Sequence, residues 1–225
     1  MNYSNLKNNI VNVYGEIYSM PEYSHEVYGE DFYEFILKVN RLSDSYDLIP
    51  VTISSRLIFD FKIGKFIGIE GQFRSYNKQV DNKSKLILSV FARSIVEYSE
   101  KTNPNYIEVT GYVCKEPIYR TTPFNREICD ILIAVNRSYN KSDYLPLIAW
   151  GRNARYSKNF KVGDKIKIVG RIQSREYVKR ISEDESVTKT AYEVSLNKIV
   201  KVNEEEDYIS KSYMEIGPVD NYYAN

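Results

Sequence analysis

Alternation of apolar and polar residues with a period of two dominates the chain, and with it a preference for β-branched side chains. In the C-terminal half, "NYIEVTGYV" (105–113), "CDILIAV" (129–135), "YLPLIAW" (144–150), "KIKIVGRIQSREY" (165–177) and "TAYEVSLNKIVKV" (190–202) all have this character and predict five strands. One stretch breaks the pattern: "RNARYSKNFKVGD" (152–164) has a short helical look that ends at Gly163. The polar stretches "RSYNKSDY" (137–144) and "KRISEDESVTKT" (179–190) predict hairpin loops.

The same pattern occurs twice. "IVNVYGEI" (10–17) matches "YIEVTGYV" (106–113), with Gly15 on Gly111, 96 positions apart. At that offset "KVNR" (38–41) meets "AVNR" (134–137), Pro50 meets Pro146 and Arg56 meets Arg152. A slip of three residues follows, after which Gly64, Gly71 and Ser75 match Gly163, Gly170 and Ser174. One register held through so many points makes the chain two copies of one domain. "NKQVDNKSK" (77–85) is the first copy's second hairpin loop. Five strands with a helix after the third is the order of an OB-fold barrel. The expected fold is therefore all-β: two tandem five-stranded OB-fold barrels, each with a short helix between strands 3 and 4, plus an acidic flexible tail. The expected divisions are a first domain at 1–98, a short linker at 99–105, a second domain at 106–202 and the tail at 203–225.

Face assignments follow from the two-residue period. On the fourth strand of the second copy, Arg171, Gln173, Arg175 and Tyr177 share one face, with Ile172 and Ser174 on the other. On the third strand, Tyr144, Pro146, Ile148 and Trp150 oppose Leu145, Leu147 and Ala149. Both of those faces are largely apolar, so periodicity leaves open which one points inward. Trp150, the chain's single tryptophan, is thus either a core ring or an outward platform.

Net charge, +1 overall, changes the picture once it is divided. Residues 1–104 hold 12 Lys/Arg against 13 Asp/Glu (−1), residues 105–202 hold 18 against 11 (+7), and residues 203–225 hold 1 against 6 (−5). A basic middle of this kind attracts polyanions. Composition excludes other classes. No apolar run approaches the roughly 20 residues of a membrane span, and the N-terminus has no apolar signal core. Two cysteines and one histidine form neither a disulfide framework nor a zinc-ligand cluster. A reduced cytoplasm is the expected compartment. His25 lies in a polar, loop-like stretch, "PEYSHEVYGED" (21–31), with no nucleophile to pair with, and no phosphate loop is present, so neither an enzyme nor a cofactor is expected.

The second copy resembles the bacterial single-stranded DNA-binding protein (SSB) family. The resemblance rests on "VTGYVCKEPIYRTT" (109–122), "LIAVNRSY" (132–139), "DYLPLIAWGRNA" (143–154), "VGDKIKIVGRIQSREY" (162–177) and "TAYEV" (190–194), in order and at fitting spacings. It implies that bases stack on Tyr139, Tyr144, Trp150 and Tyr177, while Arg137, Arg152, Arg155, Arg171 and Arg175 follow the phosphates. Stacking suits a sequence-tolerant binder, because every base has a π-face, and three further aromatics at such positions favour the platform reading of Trp150. At the matching positions the first copy has Ser43, Leu48, Ser54 and Lys78, so all four aromatics are missing there. Tyr76, Arg74 and Arg56 are its candidate contacts.

The resemblance implies sequence-tolerant single-stranded DNA binding in replication, recombination or repair, on a plasmid or phage among other settings. The alternative is an assembly factor of a primosome or conjugation complex with auxiliary DNA binding. The implied partners are single-stranded DNA, a second copy in a homodimer of four OB-folds, and replication or repair proteins recruited by the tail or the first domain; no membrane is involved. The tail departs from the family habit of closing on proline and phenylalanine: it carries Pro218 but ends in Tyr222, Tyr223, Ala224 and Asn225.

Overall fold

The computed structural model describes residues 8–80, 83–96, 104–180 and 186–202. The acidic tail and most of the linker lie outside these. The first half holds β1 (Asn9–Ile17), β2 (Glu22–Val27), β3 (Glu30–Asn40), β4 (Tyr46–Ser54), β5 (Phe66–Val80) and β6 (Lys83–Val96). The second holds β7 (Asn105–Val113), β8 (Ile118–Thr121), β9 (Glu127–Asn136), β10 (Ser142–Trp150), α1 (Gly151–Ser157), β11 (Lys165–Arg180) and β12 (Ser186–Lys201). The expected two-barrel OB architecture is the one adopted. Each half closes on itself through β1–β3 or β7–β9, and each has one parallel pair, β4–β6 or β10–β12. At the closures, a Cβ on Gly15 would sit 2.3 Å from the Lys38 carbonyl oxygen, and one on Gly111 2.7 Å from that of Ala134. Glycine matches glycine across the repeat because one backbone there lies against another.

Alternation builds the core. Val11, Val13 and Ile17 of β1, and Ile107, Val109 and Val113 of β7, are buried with half-exposed residues between them. Three details differ from expectation. The stretch around His25, expected as a polar loop, is the edge strand β2, joined to β3 by a two-residue turn. Tyr28 (φ 51°) and Gly29 (φ 78°) both take the left-handed conformation, which matches the twist of a tight hairpin. The helix of the first barrel is only a single 3-10 turn, Ser55–Leu57. The three-residue slip explains it: eight positions separate Arg56 from Gly64, against eleven from Arg152 to Gly163, where α1 fits. Finally, much of the expected loops at 77–85 and 179–190 is paired strand, with Gln79 opposite Ser84 and Arg180 opposite Ser186.

The two barrels are joined in one twelve-stranded sheet through antiparallel β1 and β7. Val11 lies opposite Ile107, its own counterpart in the repeat, with Asn9 opposite Val109 and Val13 opposite Asn105. The junction is thus symmetric about a pseudo-two-fold axis, as in a dimer of identical subunits. Two buried aspartates, also repeat counterparts, lock it. Asp47 Oδ1 accepts from the backbone N–H (2.8 Å) and hydroxyl (3.2 Å) of Ser174 in the other barrel, and its Oδ2 accepts from Arg41 Nε at 2.9 Å. Reciprocally, Asp143 Oδ1 accepts from Ser75 N (2.8 Å) and from Arg137 Nη1 (3.3 Å), while Tyr144 N donates to Ser75 Oγ at 2.6 Å. The symmetry is incomplete: Arg41 reaches both oxygens of Asp47, whereas Asp143 Oδ2 has no partner among the described residues.

Candidate nucleic-acid interface

The direction of β10 decides how Trp150 is used. Leu145, Leu147 and Ala149 enter the core, so the alternate residues Tyr144 and Trp150 face outward, 43% and 38% exposed. Trp150 ends the strand just before Gly151 (φ 50°) opens α1, and its indole Nε1 donates to Ser195 Oγ at 3.2 Å. This bond fixes the ring while leaving part of it on the surface. Trp150 therefore lies on the outward side of the strand and not in the core. Ile148, on the same side of the strand, is nonetheless buried.

β12 lies between β10 and β11 and extends this surface. Ser195 pairs with Arg171, and Glu193 with Gln173, so Arg171, Gln173, Arg175 and Tyr177 continue the outward face while Ile172 enters the core. Gln173 Nε2 donates to Glu193 Oε1 at 2.7 Å, and Arg175 lies 3.7 Å from the same oxygen and 5.9 Å from the Tyr177 ring centroid. Tyr177 is 38% exposed. Tyr144, Trp150, Tyr177 and Arg175 thus share one surface. Tyr139 lies in the 3-10 turn Ser138–Asn140 between β9 and β10.

The other arginines are differently engaged. Arg137 and Arg171 face the junction aspartates, at 3.3 Å from Asp143 and 4.0 Å from Asp47. Arg155 is paired with Glu127, which also accepts from the Tyr119 hydroxyl, so it turns toward the β8–β9 hairpin. The tyrosine hydroxyl, then the Arg155 charge, hold Glu127 below the usual carboxylate range. Arg152 is exposed on α1 with no partner among the described residues. Burial pushes the Asp143 carboxyl up, against the opposing pull of the Ser75 N–H and Arg137.

On the first barrel, Ser43 and Lys78 are exposed, Leu48 is half-buried and Ser54 is buried. Ser54 and Arg56 both bond Glu30, the latter at 3.2 Å. Tyr76 is exposed and its hydroxyl donates to Glu34 at 3.3 Å. Arg74 donates to Gln72 Oε1 (2.8 and 3.2 Å) and lies with Cζ 3.6 Å from the centroid of Phe91. Phe91 is the residue that reasoning from the matched aromatic positions missed. Thr52 pairs with Phe91 as Ile148 pairs with Ser195, so Phe91 takes the place of Ser195 just as Ser54 takes that of Trp150. The first barrel carries the aromatic–serine pair with its members exchanged between neighbouring strands.

Residues 104–202 match the single-strand binding protein family. Among curated proteins, the chain is 30% identical over 80 residues to single-stranded DNA-binding protein 2 of Listeria innocua, covering 32% of this chain and 50% of that protein. It has the same identity to single-stranded DNA-binding protein A of Bacillus subtilis, over 32% of this chain and 46% of that protein. The chain spans about half the length of these relatives. Among solved structures, the wild-type single-stranded DNA binding protein from Thermus aquaticus superposes with a TM-score of 0.70 at 17% identity, over 87% of this chain and 93% of that one. That likeness covers both barrels. Among the described residues no helix is long and apolar enough to cross a membrane.

Proposed function

Residues 104–202 belong to the single-strand binding protein family, which makes the chain a bacterial SSB-like protein of OB-folds, and from that premise we propose that it is a non-catalytic, sequence-tolerant single-stranded DNA-binding protein of replication, recombination or repair. The observation that carries this reading is the outward placement of Tyr144, Trp150 and Tyr177 on one surface with Arg175. Flat rings accept any base, and a domain of charge +7 attracts the backbone. Residues 106–202 act as the principal binding domain, with 1–98 as a second, diverged one. The ion pairs of Arg137, Arg155 and Arg175 are ones that a phosphate competes for, whereas Arg152 is available as it stands.

Titration with oligo-dT should give binding that weakens steeply with salt and quenches Tyr and Trp fluorescence. The log–log slope should be about −0.7 per phosphate neutralised. Duplex DNA and poly-U, titrated in parallel, set the selectivity. Equal affinity for duplex and single strand at moderate salt would overturn the reading. Binding of a replication protein with no measurable oligo-dT affinity would instead favour an assembly factor.

The protein is further expected to form a homodimer of four barrels. Its contact lies on a surface other than the β1 and β7 edges, which pair with each other inside the chain. Light scattering at micromolar concentration should give twice 26.3 kDa, and a 26.3 kDa particle rejects the dimer.

A further inference from the structure

The outward face of the first barrel is not bare. From the edge strand inward it carries a column of flat groups: His25 stacked on Phe32 (centroids 5.2 Å apart, 14° between planes), Phe32 tilted against Phe91 (5.7 Å), and the Arg74 guanidinium 3.6 Å over Phe91. The four come from β2, β3, β6 and β5.

The charges beside the column are unbalanced. Arg74 and Arg93 both donate to a single neutral acceptor, Gln72 Oε1, at 2.8 and 3.1 Å. Two guanidiniums therefore share one amide oxygen, without a carboxylate between them. Burial, joined by the charges of Arg137 and Arg93, lowers the Arg74 pKa to about 10 against the pull of Asp143. A desolvated cation whose hydrogen bonds go to a neutral amide rather than a carboxylate is costly, and an incoming phosphate relieves it.

Position connects this column to the surface already described. Arg74 precedes Ser75, whose hydroxyl accepts from Tyr144 N and whose N–H donates to Asp143. Tyr144 of the second barrel and the arginine–phenylalanine pair of the first thus flank the same junction.

We propose that the first barrel holds a further segment of the same DNA strand by its own means, with a base stacked on the Arg74–Phe91 pair and a phosphate held by Arg74 and Arg93. Guanidinium planes accept bases as aromatic rings do. A flat cation resting on a ring keeps a second plane for one, and Arg74 Nη1 has no hydrogen-bond partner among the described residues. The exchange of Trp150–Ser195 for Ser54–Phe91 is then a relocation of the platform rather than its loss. This inference rests on the DNA-binding reading above, and the test separates the two.

The full-length protein and its Phe91→Leu/Arg93→Gln double variant are titrated with oligo-dT of about 12 and about 35 nucleotides, one OB-fold occluding roughly 4–16. Leucine keeps the apolar volume beside Phe32 and removes the ring, and Arg93 is exposed. The expected result is a loss of about tenfold or more for the long strand only, with a salt slope shallower by about 0.7 for each phosphate no longer neutralised. If both lengths bind the double variant as they bind the unmodified protein, while Trp150→Ala weakens both, the strand stays on the second barrel and the proposal is overturned. An equal loss at both lengths also overturns it. If the unmodified protein binds neither length, the DNA-binding reading itself fails and this inference with it. Should Phe91→Leu lower the melting temperature substantially, Arg93→Gln alone carries the test through the salt slope on the long strand.

Discussion

Replacing Tyr144, Trp150 and Tyr177 together with alanine should abolish most of the affinity for single-stranded DNA while leaving the fold intact. Each base stacked on an aromatic contributes about 1–3 kcal/mol, so losing even two of three platforms weakens binding by roughly 30-fold to 10⁴-fold. Trp150→Ala alone should cost about 1–3 kcal/mol of binding. A core tryptophan would instead cost about 3–5 kcal/mol of stability. The outward exposure of Trp150 and its single bond to Ser195 argue for the former. Melting temperature and affinity, measured on the same preparations, separate the two. A variant that loses fold and binding in parallel returns Trp150 to the core. The same comparison ranks the barrels. Tyr76→Ala, on the face where Ser43, Leu48, Ser54 and Lys78 replace the four aromatics, should cost less than Trp150→Ala. The reverse order would place the principal site on the first barrel.

The second large effect is expected at the junction, where the two counterpart aspartates should behave oppositely. Asp47 is fully paired, holding Arg41 and the N–H and hydroxyl of Ser174. Asp47→Ala strips a partly buried guanidinium and a partly buried N–H of their acceptor at once, and should destabilise the protein by about 3–5 kcal/mol. Asp143→Asn should be nearly neutral, within about 1 kcal/mol, because the charge it removes is only half-compensated. Its Oδ2 is buried without a partner among the described residues, and the remaining amide oxygen still accepts from Ser75. The sign of the pH effect follows. Burial raises the folded-state pKa of Asp143, so the folded protein holds this proton more tightly than the unfolded chain does. Its contribution to stability is greatest below the unfolded carboxylate range and falls as pH rises through the raised value. Urea unfolding across that window should show this component in the unmodified protein and not in Asp143→Asn. An Asp143→Asn variant as damaged as Asp47→Ala would contradict the asymmetry.

What could be read from the sequence followed periodicity and repetition, and what could not followed from partners far apart in the chain. The strands of the second barrel declare themselves because one face is buried and the other wet, as in β7. The edge strand β2 is wet on nearly every side, so its alternation carries no hydrophobic signal and it reads as a loop. Trp150 is ambiguous for the opposite reason: Pro146 and Ile148 make its own face apolar too, and only the barrel's curvature selects a side. Of the candidate phosphate-binding arginines, Arg171 faces Asp47, a neighbour supplied by the other copy, whereas Arg137 pairs with Asp143 only six residues along its own copy. Phe91 was within reach. Laying "SVFARSIV" (89–96) on "EVSLNKIV" (193–200) puts phenylalanine where serine stands. Searching each matched position singly overlooks an aromatic that has moved one strand sideways.

The β1–β7 junction has a consequence for how such a protein responds to dilution. Two separate barrels meeting through that edge would dissociate as their concentration fell, exposing two unpaired strands that invite pairing with other chains. Joined in one polypeptide, the two edges face each other at an effective concentration on the order of millimolar, however few molecules are present. The cell gains a unit whose halves never need to find each other, and which a scarce protein forms as readily as an abundant one. Tethering also removes the demand that both halves stay the same. In a dimer of identical subunits every substitution appears twice across the axis; here Asp143 can keep an orphaned oxygen while Asp47 does not, and one barrel can carry its stacking surface differently from its twin.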